Sequence, residues 1–245
     1  MARVPAIELA PGVYRIPTTP GDYVNVFAFV DDAGRVTLVD CGYATSMKRI
    51  AAALRFLGRD PADVTHIILT HAHGDHAGGL ARLRDLTGAR VAAPGREAGN
   101  LRSGHPPEVE RLTLFARLFK LLPGDTFTPS TVDLELAGGE VLPFAGGIEV
   151  VPTPGHTPGH VALLHRPTRV LVTGDSLFNW RGRMSLPRTI HGALPPHPSV
   201  RMAAEASGRE PNVAAKVMML KAVLSPQMAI LNGKPAPVAA TAPTS

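Results

Sequence analysis

His71, His73, Asp75 and His76 fall within six residues, in the stretch Thr70-His71-Ala72-His73-Gly74-Asp75-His76-Ala77-Gly78-Gly79. Imidazole nitrogens and carboxylate oxygens are the donors of a metal centre. Neutral imidazoles with carboxylate suit zinc, and also iron or manganese. In an extended segment residues i and i+2 point to one side, so His71 and His73 can aim at a single ion. Gly74 frees the backbone to turn. Asp75 and His76 then offer an oxygen and a nitrogen to a neighbouring position.

Two further segments carry the same donor types. Thr153-Pro154-Gly155-His156-Thr157-Pro158-Gly159-His160 sets one imidazole between two Pro-Gly pairs, a rigid loop that positions it at little entropic cost. Thr173-Gly174-Asp175 adds a carboxylate. Eighty residues separate His76 from His156, so only a fold can assemble the set, and metal binding should stabilise that fold.

The elements that must position these residues are legible from periodicity. Residues 64–69, β-branched and apolar, read as a buried strand that delivers the histidine cluster. Strands at 13–16, 24–30 and 35–39, the last two joined by the turn Asp31-Asp32-Ala33-Gly34, suggest an antiparallel opening to a sheet. Ile50, Leu54 and Leu57 mark a helix over 45–57 closed by Gly58, and 80–86 is an amphipathic segment. Strands follow at 90–93, 132–136, 140–142 and 148–151, then a hairpin of 161–165 with 169–172 around Pro167. Residues 213–224 read as a helix and 228–231 as a last strand.

Residues 96–130 read as a helical insertion with Val109, Leu112, Phe115, Leu118, Phe119 and Leu122 in one apolar stripe. Core packing and a lid or homodimer face are its two readings. Residues 176–199 form a long irregular loop beside the site, carrying Leu177, Phe178, Trp180 and Met184. Residues 1–234 make one domain and 235–245 a frayed tail.

Bulk properties narrow the function class. With 245 residues, 44% hydrophobic and 18% charged, the chain supports one large core. No stretch approaches a membrane span, and the start lacks a basic patch followed by an apolar run. Cys41 is the only cysteine, which excludes an intrachain disulfide and is compatible with the cytoplasm. The net charge of +5 is diffuse; only Arg181, Arg183 and Arg188 cluster, so neither nucleic acid nor membrane is the expected partner.

H-x-H-x-D-H after an apolar strand resembles the metallo-β-lactamase superfamily, with a motif set like that of glyoxalase II. Val39-Asp40-Cys41-Gly42 looks like its early Asp-x-Gly turn, the His156 segment like its third-histidine loop, and Thr173-Gly174-Asp175 like its bridging aspartate. The resemblance implies an α/β (α+β) fold, the four-layer αββα sandwich. It further implies that His71, His73 and His156 hold a first metal, that Asp175 bridges, and that Asp75 and His76 hold a second. Asp40 would lie beneath the metal and hydrogen-bond a ligand. His160 would line the pocket, support a ligand or serve structure alone. One or two zinc ions, with iron or manganese as substitutes, are the implied cofactors.

The family's final histidine, from a Gly-His-Gly turn, has no counterpart. The chain reads Leu231-Asn232-Gly233-Lys234-Pro235, and an ammonium has no lone pair for a cation. Three outcomes stay open: a weakened dinuclear site, a mononuclear site, or replacement by His191 or His197. The activity implied is hydrolysis of a small-molecule ester, thioester, lactone or amide. Two cations sharing a water would give a hydroxide nucleophile, and Asp75 would orient it or carry a proton to the leaving group. The alternatives are a mononuclear iron oxidoreductase like the persulfide dioxygenases, and a non-catalytic protein of the same fold.

Overall fold

The computed structural model describes residues 4–107, 126–176, 178–180 and 183–185. Seven strands form the first sheet, in spatial order β1 (Ile7–Ala10), β2 (Val13–Pro17), β3 (Asn25–Val30), β4 (Val36–Val39), β5 (Val64–Ile68), β6 (Arg90–Pro94) and β7 (Leu134–Leu136). Strands β1 to β4 pair antiparallel, and β4 to β7 pair parallel through the crossovers that carry the helices. Those helices are α1 (Met47–Phe56), the short α2 (Gly74–Ala77), α3 (Leu80–Thr87) and α4 (Gly95–Ser103). The second sheet is antiparallel, in spatial order β11 (Val170–Val172), β10 (Val161–His165), β9 (Ile148–Pro152) and β8 (Val141–Leu142).

Alternation along the strands explains the layering. Val26, Ala28, Ile16, Leu38 and Ile67 join Ile50, Leu54, Leu80, Leu83 and Leu101 of the helices in one buried cluster. Their strand neighbours Phe27, Phe29, Val39 and Ile68 pack instead with Leu142, Ile148, Val150, Leu163 and Val172 of the second sheet. One strand thus feeds two cores, because successive side chains leave opposite faces of a sheet. The result is helices on a sheet on a second sheet. On the second sheet, Val151, Ala162, Leu164 and Leu171 form a further buried cluster. This is the layered α/β architecture expected.

Two expectations need correction, and one strand has no counterpart in the sequence reading. The segment read as an insertion from residue 96 begins inside the core: α4 packs on β6 and β7, with Ala98 and Leu101 fully buried. Ala98 and Leu101, three apart, lie on one helix face, and Leu101 joins the main core. The loop from 176 is not wholly irregular, since β12 (Phe178–Trp180) and β13 (Arg183–Ser185) pair antiparallel, Trp180 opposite Arg183. Only Arg181 and Gly182 separate them in sequence, the shortest hairpin spacing. Strand β1 was not anticipated; its four residues IELA alternate too briefly to stand out.

The stripe from Val109 to Leu122, the helix at 213–224, the strand at 228–231, the tail, and His191, His197 and Lys234 lie outside the described residues. Among the described residues no helix is long and apolar enough to cross a membrane.

Candidate metal centre

The site lies where the parallel strands end. Asp40 follows β4, and Thr70 and His71 follow β5, so pairing of Val39 with Ile68 brings them side by side at the carboxyl ends of the strands. Open α/β sheets bind ligands at that edge. Asp40 sits in the left-handed region, φ 62°, with its amide donating to Ile68 O at 2.9 Å. That turn points its carboxylate under the histidine loop.

Asp40 Oδ1 accepts the Thr70 amide at 2.8 Å, and Thr70 Oγ1 lies 3.0 Å from both carboxylate oxygens. Thr70 Oγ1 is also 3.0 Å from His71 Nδ1, and His76 Nδ1 is 2.8 Å from Asp40 Oδ2. Thr70 has one hydroxyl proton and spends it on the carboxylate, so His71 Nδ1–H must be the donor to Thr70 Oγ1. His76 Nδ1–H likewise donates to Asp40. The network therefore leaves the Nε2 of both rings as the ligating nitrogen. Both Nε2 atoms are buried; that of His71 has no hydrogen-bond partner, and that of His76 faces only carboxylate oxygens. A buried polar atom left unpaired is costly unless something absent from the protein chain completes it.

Around these two nitrogens the other donors converge. His71, His73 and His156 offer donor atoms all within 4.8 Å of one another, and so do His71, His76 and Asp175. His73 Nδ1 approaches His156 Nε2 at 2.9 Å. Asp175 Oδ1 lies 3.0 Å from His76 Nε2, while its Oδ2 lies 3.4 Å from His156 Nε2. One carboxylate thus faces both donor groups. Asp75, half-buried in the first turn of α2, has Oδ2 at 3.6 Å from His76 Nε2. The donor chemistry, four imidazoles with carboxylates beside them, fits zinc and similar divalent ions.

The second loop is fastened to the first. Val161 donates its amide to Thr70 O at 3.1 Å, and Thr153 to His160 O at 2.9 Å. His160 is fully buried. Its Nε2 accepts the Asp175 amide at 3.0 Å, and its Nδ1 lies 2.7 Å from Thr153 Oγ1 and 3.2 Å from Ser176 Oγ. His160 therefore supports Asp175 and has its ring committed on both sides. Gly174 is required beside it: φ is +51°, and a Cβ there would come within 2.7 Å of His160 Nε2.

The electrostatics divide the cluster. Burial, then the neighbouring His76, His156 and His160, lower the His71 pKa well below its ordinary value, so this ring is neutral. Burial likewise lowers that of His160. Burial also disfavours an imidazolium at His76, but Asp75, Asp175 and Asp40 outweigh it and push its pKa up to about 10. Without a cation, His76 carries the positive charge that the surrounding carboxylates demand.

Glu97 escaped the sequence reading. It is buried in the first turn of α4, Oε2 accepting the Ala72 amide at 3.1 Å and Oε1 the Gly159 amide at 2.7 Å. The available signal was a carboxylate four residues before Leu101, on the apolar face of the helix.

Comparisons with known proteins point to one family. The profile of the metallo-beta-lactamase superfamily matches residues 19–212. The chain is 32% identical over 177 residues to YobT of Bacillus subtilis, covering 70% of this chain and 69% of that protein. It is 32% identical over 130 residues to a hydroxyacylglutathione hydrolase of Rhodopseudomonas palustris, covering 53% of this chain and 40% of that protein. The chain thus spans under half the length of that enzyme. Among solved structures, a Cronobacter sakazakii metallo-beta-lactamase with a HARLDQ motif superposes with a TM-score of 0.55 at 30% identity, covering 64% of this chain and 58% of that one.

Proposed function

The chain belongs to the metallo-β-lactamase superfamily, and on that premise we propose that it is a metal-dependent hydrolase of a small-molecule ester, thioester, lactone or amide. The observation that carries the reading is the convergence of two buried Nε2 atoms on a shared carboxylate, Asp175: that of the neutral His71, which has no hydrogen-bond partner, and that of His76, 3.0 Å from Asp175 Oδ1. His71, His73 and His156 would hold one divalent ion, zinc in the first place. His76, Asp75 and Asp175 would hold or share a second. Bound there, such ions supply Lewis acidity and lower the pKa of water toward neutrality.

The remaining tasks fall to the chain. Thr70 keeps the Nε2 of the neutral His71 bare, so no proton has to leave it before it binds, while Asp40 turns the Nε2 of His76 to the site, where an ion would displace its proton. Asp175 places negative charge between the two donor groups and is kept in place by His160. Asp75 is the least buried of the acids, with its side chain 25% exposed, and would take a proton from water and return one to a leaving group. The names of the relatives support a small-molecule substrate: one curated group bears the name of a thioester hydrolase, and the solved neighbours are lactamases.

Chelator-treated and zinc-reloaded protein should be assayed against aryl esters, lactones and glutathione thioesters, alongside His71→Ala. Hydrolysis of at least one class should vanish with the metal, return with zinc and be absent in the variant. Turnover that survives chelation, or wild-type turnover and metal content in His71→Ala, would refute the reading.

A further inference from the structure

We propose that Glu97 is a positioning residue of the metal centre, a buried carboxylate that clamps together the two loops bearing the first-site histidines. It rests on the metal-binding half of the reading above and not on hydrolysis. Glu97 is 1% exposed, yet a carboxylate is not buried without compensation. Its compensation is two backbone amides from different parts of the chain. Ala72 lies between His71 and His73; Gly159 lies three residues past His156. Both are buried, so each amide requires an acceptor, and Glu97 is the acceptor that both share.

Three further observations support the clamp. Arg96, the adjacent residue on α4, donates to Pro158 O at 3.4 Å, so the first turn of the helix meets the His156 loop at two consecutive residues. A carboxylate in the first turn is favoured by the unpaired amides and dipole of a helix N-terminus. Gly159 has no side chain for a reason visible here: a Cβ would lie 2.7 Å from both Glu97 Cγ and Oε1, and 2.9 Å from Arg96 Cβ. The loop backbone has come close enough to Glu97 to exclude even a methyl group.

The function follows from geometry and charge. Charge-assisted hydrogen bonds fix His71 and His73 relative to His156 before any ion arrives, so binding does not have to order two loops. The buried negative charge also favours a cation nearby. An amide at this position serves one of the two N–H groups and turns its own N–H toward the other.

The test compares wild type with Glu97→Gln, Gly159→Ala and Glu135→Gln. The last removes the exposed 2.6 Å pair with Arg102 that ties α4 to β7, and so perturbs the helix without touching the clamp. Zinc affinity is measured by competition with a chromogenic chelator, and Tm with and without zinc. Glu97→Gln and Gly159→Ala should each weaken the tighter zinc site about tenfold or more, the range for outer-shell partners. They should also shrink the rise in Tm that zinc produces, while Glu135→Gln leaves both unchanged. Wild-type zinc affinity in Glu97→Gln overturns the proposal. So do equal losses of Tm with and without zinc, which are the mark of a merely structural residue. If Glu97→Gln does not fold, Gly159→Ala decides alone, because it displaces the carboxylate while keeping its charge. Wild-type protein that binds no zinc would instead defeat the metal reading itself.

Discussion

Asp40 Oδ2 accepts the Nδ1–H of His76 at 2.8 Å, and the same carboxylate reaches His71 through Thr70 Oγ1. One acid thereby sets the tautomer of two rings on the histidine loop, one bound for each side of the site. Asp40 is itself fully buried, so its charge is felt at close range.

Asp40→Asn should therefore harm both sites while sparing the fold's shape. The amide keeps one acceptor, and its NH2 must confront either the Thr70 amide or His76 Nδ1–H. Zinc affinity should fall roughly 10–100-fold, as for other outer-shell partners. Chelator competition measures it. Wild-type affinity would show that Asp40 is only a turn residue.

The pKa of His76 predicts how pH acts on the metal-free chain. Raised from about 6.5 to about 10, it contributes stability that is complete below pH 6.5 and lost as pH climbs toward 10. His71 and His160 are shifted downward, so their contribution is present above about pH 6.5 and lost as pH falls below it. The Tm of chelator-treated protein should pass through a maximum near pH 6.5. Zinc must expel the His76 proton, so calorimetry at pH 7 in buffers of different ionisation enthalpy should show proton release on loading, and the second ion should bind more tightly as pH rises. Binding without proton release would remove His76 from the ligand set.

Lys234 lies outside the described residues, and its prediction stands on sequence. An ammonium in place of a ligand should leave the second site weaker than the first, so protein purified without added metal should hold closer to one ion than two. Lys234→His should raise the stoichiometry toward two. Metal titration of wild type, Lys234→His, His191→Ala and His197→Ala checks this. Two equally tight wild-type sites, lost on removing either loop histidine, would show that the loop supplies the missing ligand.

Much of the centre was legible because its information is local. His71 and His73 lie in the short loop after β5, and Asp75 and His76 on one turn of helix, so all four are near neighbours in the chain. The Pro-Gly pairs around His156 and the alternation in β3 to β6 are likewise carried by near neighbours. The extent of the core was less legible. Residues from 96 onward read as an insertion because a nine-residue helix with Ala98 and Leu101 inside offers a faint stripe.

What the tertiary structure alone decided is how distant residues share polar groups. His160 admitted three roles from sequence, and a hydrogen bond from the Asp175 amide, which no spacing announced, supports the reading in which it holds a carboxylate in place. Glu97 gave no motif, because its partners are the amides of Ala72 and Gly159, and any residue but proline carries an amide. Side-chain ligands leave a spelling in the sequence; acceptors for backbone N–H groups do not, and only the folded path of the chain brings the two together.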